Sequence, residues 1–153
     1  VPKDAYELAL KALGYKERTE SELRGWLAER GVEDPEVEEV IALLAEAGAI
    51  DDAGFARRYA EDKRLLAGWG PDRIVSALQG RGVARQHIES ALGGDDESAQ
   101  LERATALLLG RGMSCETERE RERALGLLVR RGYPLELAYD AVRVAEREAR
   151  DAA

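Results

Sequence analysis

The chain has 153 residues, of which 44% are hydrophobic and only 5% aromatic, and it carries 31 acidic against 23 basic side chains for a net charge of −8. That balance excludes indiscriminate coating of nucleic acid, which calls for a basic protein. One cysteine, Cys115, and one histidine, His87, exclude an internal disulfide and a His/Cys metal cluster.

Ala, Leu, Glu and Arg dominate and β-branched runs are scarce, so the predicted class is all-α. A first helix is expected over DAYELALKALGY (4–15). A second ends at Arg30, whose charge suits the negative end of the helix dipole, with Gly31 supplying the left-handed backbone that stops it. Asp34 is the expected N-cap and Pro35 the first residue of a third helix. Its Val37, Val40, Ile41 and Leu44 fall on one stripe. A hinge follows near 48–51, and Asp51 and Asp52 open a helix over 51–68 at its positive end, with Phe55 and Tyr59 facing inward.

Residues 68–83, GWGPDRIVSALQGRGV, test a nucleotide-binding reading. Gly68-Trp69-Gly70 resembles the start of G-x-G-x-x-G, but Arg73 stands at the third glycine, the preceding segment is helical, and Pro71 lacks an N–H. Gly70 as N-cap and Pro71 as first helical residue account for the same residues, and Arg81-Gly82 ends that helix. After the hinge GGDD (93–96), a helix is expected over 97–112. The run ETERERERALGLLVRR (116–131) alternates acid and base as an exposed helix with local ion pairs does. Arg131-Gly132 closes it.

The chain therefore repeats. WLAERGVEDPEVEEVI (26–41), ALQGRGVARQHIESAL (77–92) and LLVRRGYPLELAYDAV (127–142) align without a gap, matching Arg30, Arg81 and Arg131 and then Gly31, Gly82 and Gly132. With a leading helix before each, the organisation is three tandem three-helix repeats over 1–50, 51–95 and 96–153, packed along a row because a unit of ~45 residues buries little alone.

No constellation for catalysis is present. His87 lies on a polar helix face, Cys115 reads as an inert lone cysteine, and the carboxylates Glu36, Glu38 and Glu39 read as a solvated face. No metal and no cofactor is expected, and the protein is not expected to be an enzyme. No apolar run reaches the ~18 residues of a membrane span, the opening VPKDAYELAL lacks the basic-then-apolar order of a secretory signal, and the lone cysteine fits a cytoplasmic compartment. What remains is a basic surface on the middle repeat: Arg57, Arg58, Lys63, Arg64 and Arg73, with Trp69 in the exposed turn among them. An aromatic beside arginines suits a protein interface and also nucleic acid. A solvated face balanced by Glu61 and Asp62 is the bland alternative.

Three stretches, TESELRGWLAERGV, IDDAGFARRYAEDKR and GPDRIVSALQGRGVARQHIESAL, together resemble the RecX family, regulators of the RecA recombinase, across essentially the whole chain. The resemblance implies a non-enzymatic, elongated and curved helical array, monomeric, lying in the groove of a RecA–single-stranded-DNA filament. There it would limit filament growth and with it the ATPase, strand-exchange and co-protease activities of RecA. It implies Phe55 and Tyr59 as core packing, and Arg57, Arg58, Lys63, Arg64 and Arg73 as candidates for the filament-facing or DNA-proximal surface. Many relatives are basic where this chain is acidic, so DNA contact is expected mainly through RecA. A stand-alone helical nucleic-acid-binding module is the other reading the residues leave open.

Overall fold

Arginine–glycine pairs punctuate the fold. The computed structural model describes residues 2–152, and among them every regular element is an α-helix: α1 (Pro2–Tyr15), α2 (Glu20–Glu29), α3 (Asp34–Glu46), α4 (Asp52–Ala67), α5 (Pro71–Gly80), α6 (Arg85–Leu92), α7 (Glu97–Gly110), α8 (Glu118–Arg130) and α9 (Leu135–Ala152). At Gly31, Gly82 and Gly132 φ is +81°, +76° and +97°. The residue after each glycine donates its N–H back to the helix, Val32 to Leu27, Val83 to Leu78 and Tyr133 to Leu128. This is the Schellman closure, which satisfies helix-end carbonyls and needs a residue at ease with positive φ. Arg111-Gly112 ends α7 in the same way, with Met113 N–H on Leu108 O.

Helix starts are equally local. Thr19 and Glu22 form a reciprocal capping box at α2, and Thr117 and Glu120 repeat it at α8, each satisfying two orphan donors. Asp51 caps Gly54 N–H at 3.0 Å, while the Asp52 carboxylate accepts from Glu20 N–H at 3.0 Å. One expectation needs correction: Glu33, not Asp34, is the N-cap of α3, and its side chain makes no capping bond. Proline is tolerated anywhere in the first turn, because those N–H groups have no intrahelical acceptor, so the helix runs one residue further back.

The chain forms two compact units, Val1–Arg57 with Leu78–Ser90, and Arg58–Ala77 with Ala91–Ala153. In the first, Ala5, Ala9 and Ala12 of α1 and Leu23 and Leu27 of α2 meet Val37, Val40, Ile41 and Leu44 of α3. Those four are the stripe the helical spacing predicts. The Arg81-Gly82 turn seats on the α1–α2 elbow of this unit. Thr19 Oγ1 donates to Arg81 O at 2.7 Å, and the Arg81 guanidinium donates to both Glu22 oxygens at 2.6 and 2.9 Å. A Cβ on Gly82 would collide with the Ser21 side chain. Arg81 also stacks over the Phe55 ring, 4.6 Å from its centre, and Phe55 is buried.

The second unit centres on Leu108, Leu128, Tyr133, Leu137 and Val142 from α7–α9, with alanines where these helices approach closely. Cys115 is buried beside them. Burial, with Glu146 and Glu120 nearby, pushes its thiol pKa up, away from the thiolate that reactivity needs. Among the described residues no helix is long and apolar enough to cross a membrane, and no group of His, Cys, Asp and Glu could hold a metal ion.

Candidate docking surface

Where α4 ends in the second unit, its last carbonyls have no intrahelical donor and must be satisfied from outside. Three side chains satisfy carbonyls here, one at the last residue of the helix and two in the elbow that follows it. Arg131 Nη1 donates to Ala67 O at 2.6 Å, the Tyr133 hydroxyl to Gly68 O at 2.7 Å, and Arg103 Nε to Trp69 O at 3.1 Å. Two guanidiniums at the negative end of a helix are also electrostatically favourable.

Backbone bonds then lock the α4–α5 elbow. Gly70 N–H donates to Arg131 O at 2.8 Å and Asp72 N–H to Gly132 O at 2.9 Å. The contact is backbone on backbone: a Cβ at Gly70 would lie 2.5 Å from Gly132 O, and one at Gly132 would run into Arg73. Both glycines are needed for closeness, and Gly132 also for its φ of +97°. Pro71 begins α5, so the G-P-D-R stretch is a helix start held by another turn.

On this fixed elbow the Trp69 ring gathers cations. Arg73 Cζ lies 4.2 Å and Lys63 Nζ 4.7 Å from the ring centre, while Tyr59 meets it edge-on at 6.3 Å. These are cation–π geometries, which hold long side chains in place without neutralising them. Trp69 is half-buried by this packing, although the turn is expected to expose it.

Beneath the elbow, Asp95 organises two further guanidiniums. Its side chain is only 4% exposed, pairs with Arg103 through two bonds of 2.8 and 2.9 Å, and lies 3.8 Å from Arg64. Arg103 loses hydration on burial, but the Asp95 carboxylate and the Tyr133 hydroxyl together more than offset that and raise its pKa above the ordinary value. Burial raises the Tyr133 hydroxyl pKa, keeping it a donor. Arg64 Nη1 is buried without a hydrogen-bond partner.

Together these groups line an open concavity of about 650 Å³ that takes in Arg64, Arg73, Arg103 and Arg131 with Trp69 and the leucines 65, 66 and 107. Among the described residues neither Arg73 nor Arg131 has a carboxylate partner. Of the six residues singled out from sequence, Arg64, Trp69 and Arg73 line the concavity and Lys63 seats on Trp69. Arg57 and Arg58 are exposed on α4 and do not line it, and Arg57 falls in the other compact unit. Tyr59, expected in the core, is half-buried against Trp69. Sequence reasoning missed Arg103, Asp95 and the exposed leucine pair. It saw Arg131 only as a helix terminator, and the one available signal was the identity of its repeat position with Arg81.

The family model for the first three-helix domain of RecX matches residues 5–44, and that for the second matches residues 51–92. A regulatory protein RecX of Mycobacterium sp. (strain JLS) is 34% identical, over 95% of this chain and 85% of its own length. That of Mycobacterium avium (strain 104) is 36% identical, over 95% and 88%. Among solved structures, RecX from Lactobacillus salivarius superposes with a TM-score of 0.82 at 21% identity, covering 95% of this chain and 96% of that one, a likeness of fold. A second regulatory protein RecX gives 0.79 at 26% identity, over 93% and 72%. The chain belongs to the RecX family of regulatory proteins.

Proposed function

We propose that this chain regulates RecA by docking onto the RecA–single-stranded-DNA filament, and that the concavity around Trp69 is part of the docking surface. The observation that carries this reading is the gathering of four guanidiniums and Lys63 around one rigid elbow in a chain whose net charge is −8. Such a patch meets an anionic partner locally, while the acidic remainder disfavours binding to free nucleic acid. Single-stranded DNA is therefore reached mainly through RecA, and the chain acts in the cytoplasm as a monomer built of three repeats over 1–50, 51–95 and 96–153. The two family-model matches support the first two of these repeats. Docking limits filament assembly and with it the ATPase, strand-exchange and co-protease activities.

Lys63, Arg64, Trp69 and Arg73 form the centre of this surface and Arg58 extends it along α4; Arg57, in the other compact unit, is a separate candidate contact. The test is inhibition of RecA ATPase and of filament length by wild type and by R57A/R64A/R73A, with helicity checked by circular dichroism. Loss of inhibition with helicity intact is expected. Unchanged inhibition removes this surface from the reading. Tight, steeply salt-dependent binding to single-stranded DNA without RecA would favour a stand-alone nucleic-acid-binding module instead.

A further inference from the structure

The concavity has two kinds of wall, and the second kind bears on what fits it. Leu65 and Leu66, consecutive in the last turn of α4, are 74% and 85% exposed, and both line the same concavity as the arginines. Isolated surface leucines need no explanation, but an adjacent pair beside unneutralised guanidiniums is a mixed patch of the kind found in protein interfaces. Phosphodiester backbone would satisfy the cations and leave both leucines in water. Nor is Trp69 set out as a stacking platform: Arg73 and Lys63 already sit over its ring, so a base stacking there would compete with two cations.

The geometry points to an acidic protein segment carrying large apolar side chains as the occupant of this concavity, its carboxylates on Arg73 and Arg131 and its apolar side chains against Leu65 and Leu66. Charge complementarity selects the carboxylates: Asp95 satisfies Arg103 and pairs with Arg64, but among the described residues Arg73 and Arg131 have no acid. Guanidiniums take carboxylates through paired N–H donors, and Trp69 holds that of Arg73 in a fixed pose, which lowers the ordering cost of binding. A volume of about 650 Å³ suits a few residues of extended chain. This inference deepens the docking reading by naming the chemistry of the partner, and its test does not require RecA.

The probe is a blocked peptide of glutamates interrupted by a leucine pair, titrated against a W26F background so that Trp69 alone reports. The comparison ligands are the same peptide with serines for leucines and oligothymidylate of equal charge. Wild type is expected to bind the leucine peptide about tenfold more tightly than either comparison ligand. L65S/L66S should remove that tenfold preference while leaving the serine peptide unchanged. R73E should weaken both peptides. Because both leucines are exposed, the double variant should fold normally, which circular dichroism checks. Oligothymidylate binding as well as the leucine peptide, indifference to L65S/L66S, or no peptide binding at all would each overturn the inference. The RecA reading fails separately, if wild type leaves RecA ATPase and filament length unaltered whatever the peptide does.

Discussion

The same junction occurs twice, once in each compact unit, with opposite electrostatic outcomes. In the first unit the Arg81-Gly82 turn seats on Thr19–Glu22; in the second the Arg131-Gly132 turn seats on Gly70–Arg73. Repeat alignment pairs Thr19 with Gly70, and Glu22 with Arg73. At the former position a hydroxyl and a backbone N–H do the same work, each donating to the arginine carbonyl. At the latter the charge is reversed. Glu22 neutralises Arg81 within the junction, whereas Arg73 adds a second cation beside Arg131 and turns onto Trp69. One junction spends its arginine on cohesion. The other leaves its cations available, and the acid that keeps the second unit together, Asp95, is supplied from the hinge before α7 to different arginines.

The largest effect expected from breaking this pair is at the second junction's glycine. G132A strains a residue at φ +97° and drives a methyl into Arg73, so it should destabilise the second unit by about 3 kcal/mol or more in urea unfolding. G31A is its control: φ is +81° but nothing lies within reach of the added Cβ, so the cost should be the backbone strain alone, about 1–2 kcal/mol. Equal losses in the two variants would mean that close approach contributes nothing at the second junction.

Next is D95N. The nearly buried carboxylate holds Arg103 and Arg64, and the amide keeps the shape but removes the charge, leaving two half-buried guanidiniums undercompensated. A loss of about 2 kcal/mol in thermal or urea unfolding is expected. R73E reads the functional side of the contrast. Arg73 is exposed, so stability should move by less than about 0.5 kcal/mol, while inhibition of RecA should weaken about tenfold, near 1.4 kcal/mol of binding. A variant that unfolds without losing inhibition would reverse the assignment of roles to Arg73 and Asp95.

These contrasts were only partly legible in the sequence. Helix ends were, because a left-handed residue after a helix calls for glycine, and Arg30, Arg81 and Arg131 mark it at near-constant spacing. The stripe Val37, Val40, Ile41 and Leu44 was legible for the same local reason. The N-cap of α3 missed by one residue, since proline fits the first turn at more than one position. The partners of each turn were not legible. Arg81 meets Glu22 fifty-nine positions away and Arg131 meets Ala67 sixty-four positions away, and nothing local in RGV or RGY says which elbow it will find. Asp95 reads as a hinge residue and Arg103 as one more helix arginine until the fold brings them together. Trp69 reads as exposed because its covering cations come from either side of it in sequence, Lys63 and Arg73, and only the bend of the α4–α5 elbow turns them onto the ring.

The smallest expected effect is at Glu22, and it tests whether neutralisation in the first junction contributes to stability. Burial alone would raise the Glu22 pKa, but the Arg81 hydrogen bonds, the Thr19 N–H and the Arg81 charge outweigh it and hold the carboxyl below its ordinary value. A carboxyl depressed in the folded state binds its proton more readily when unfolded. Its stabilisation is therefore complete above the ordinary value of ~4.3 and is lost as pH falls through the lower folded value. The pair is about one-third exposed, so solvent screening limits the contribution to about 1 kcal/mol or less. E22Q keeps the capping geometry, since glutamine serves at that position too, and removes only the charge. Near pH 7 the variant should be less stable by that small amount in urea unfolding, and the difference should vanish as pH falls through the lowered folded pKa of Glu22. A gap between the two proteins that persists unchanged into acid would assign the effect to lost packing, and the two junctions would then differ in the fate of their cations but not in what holds them together.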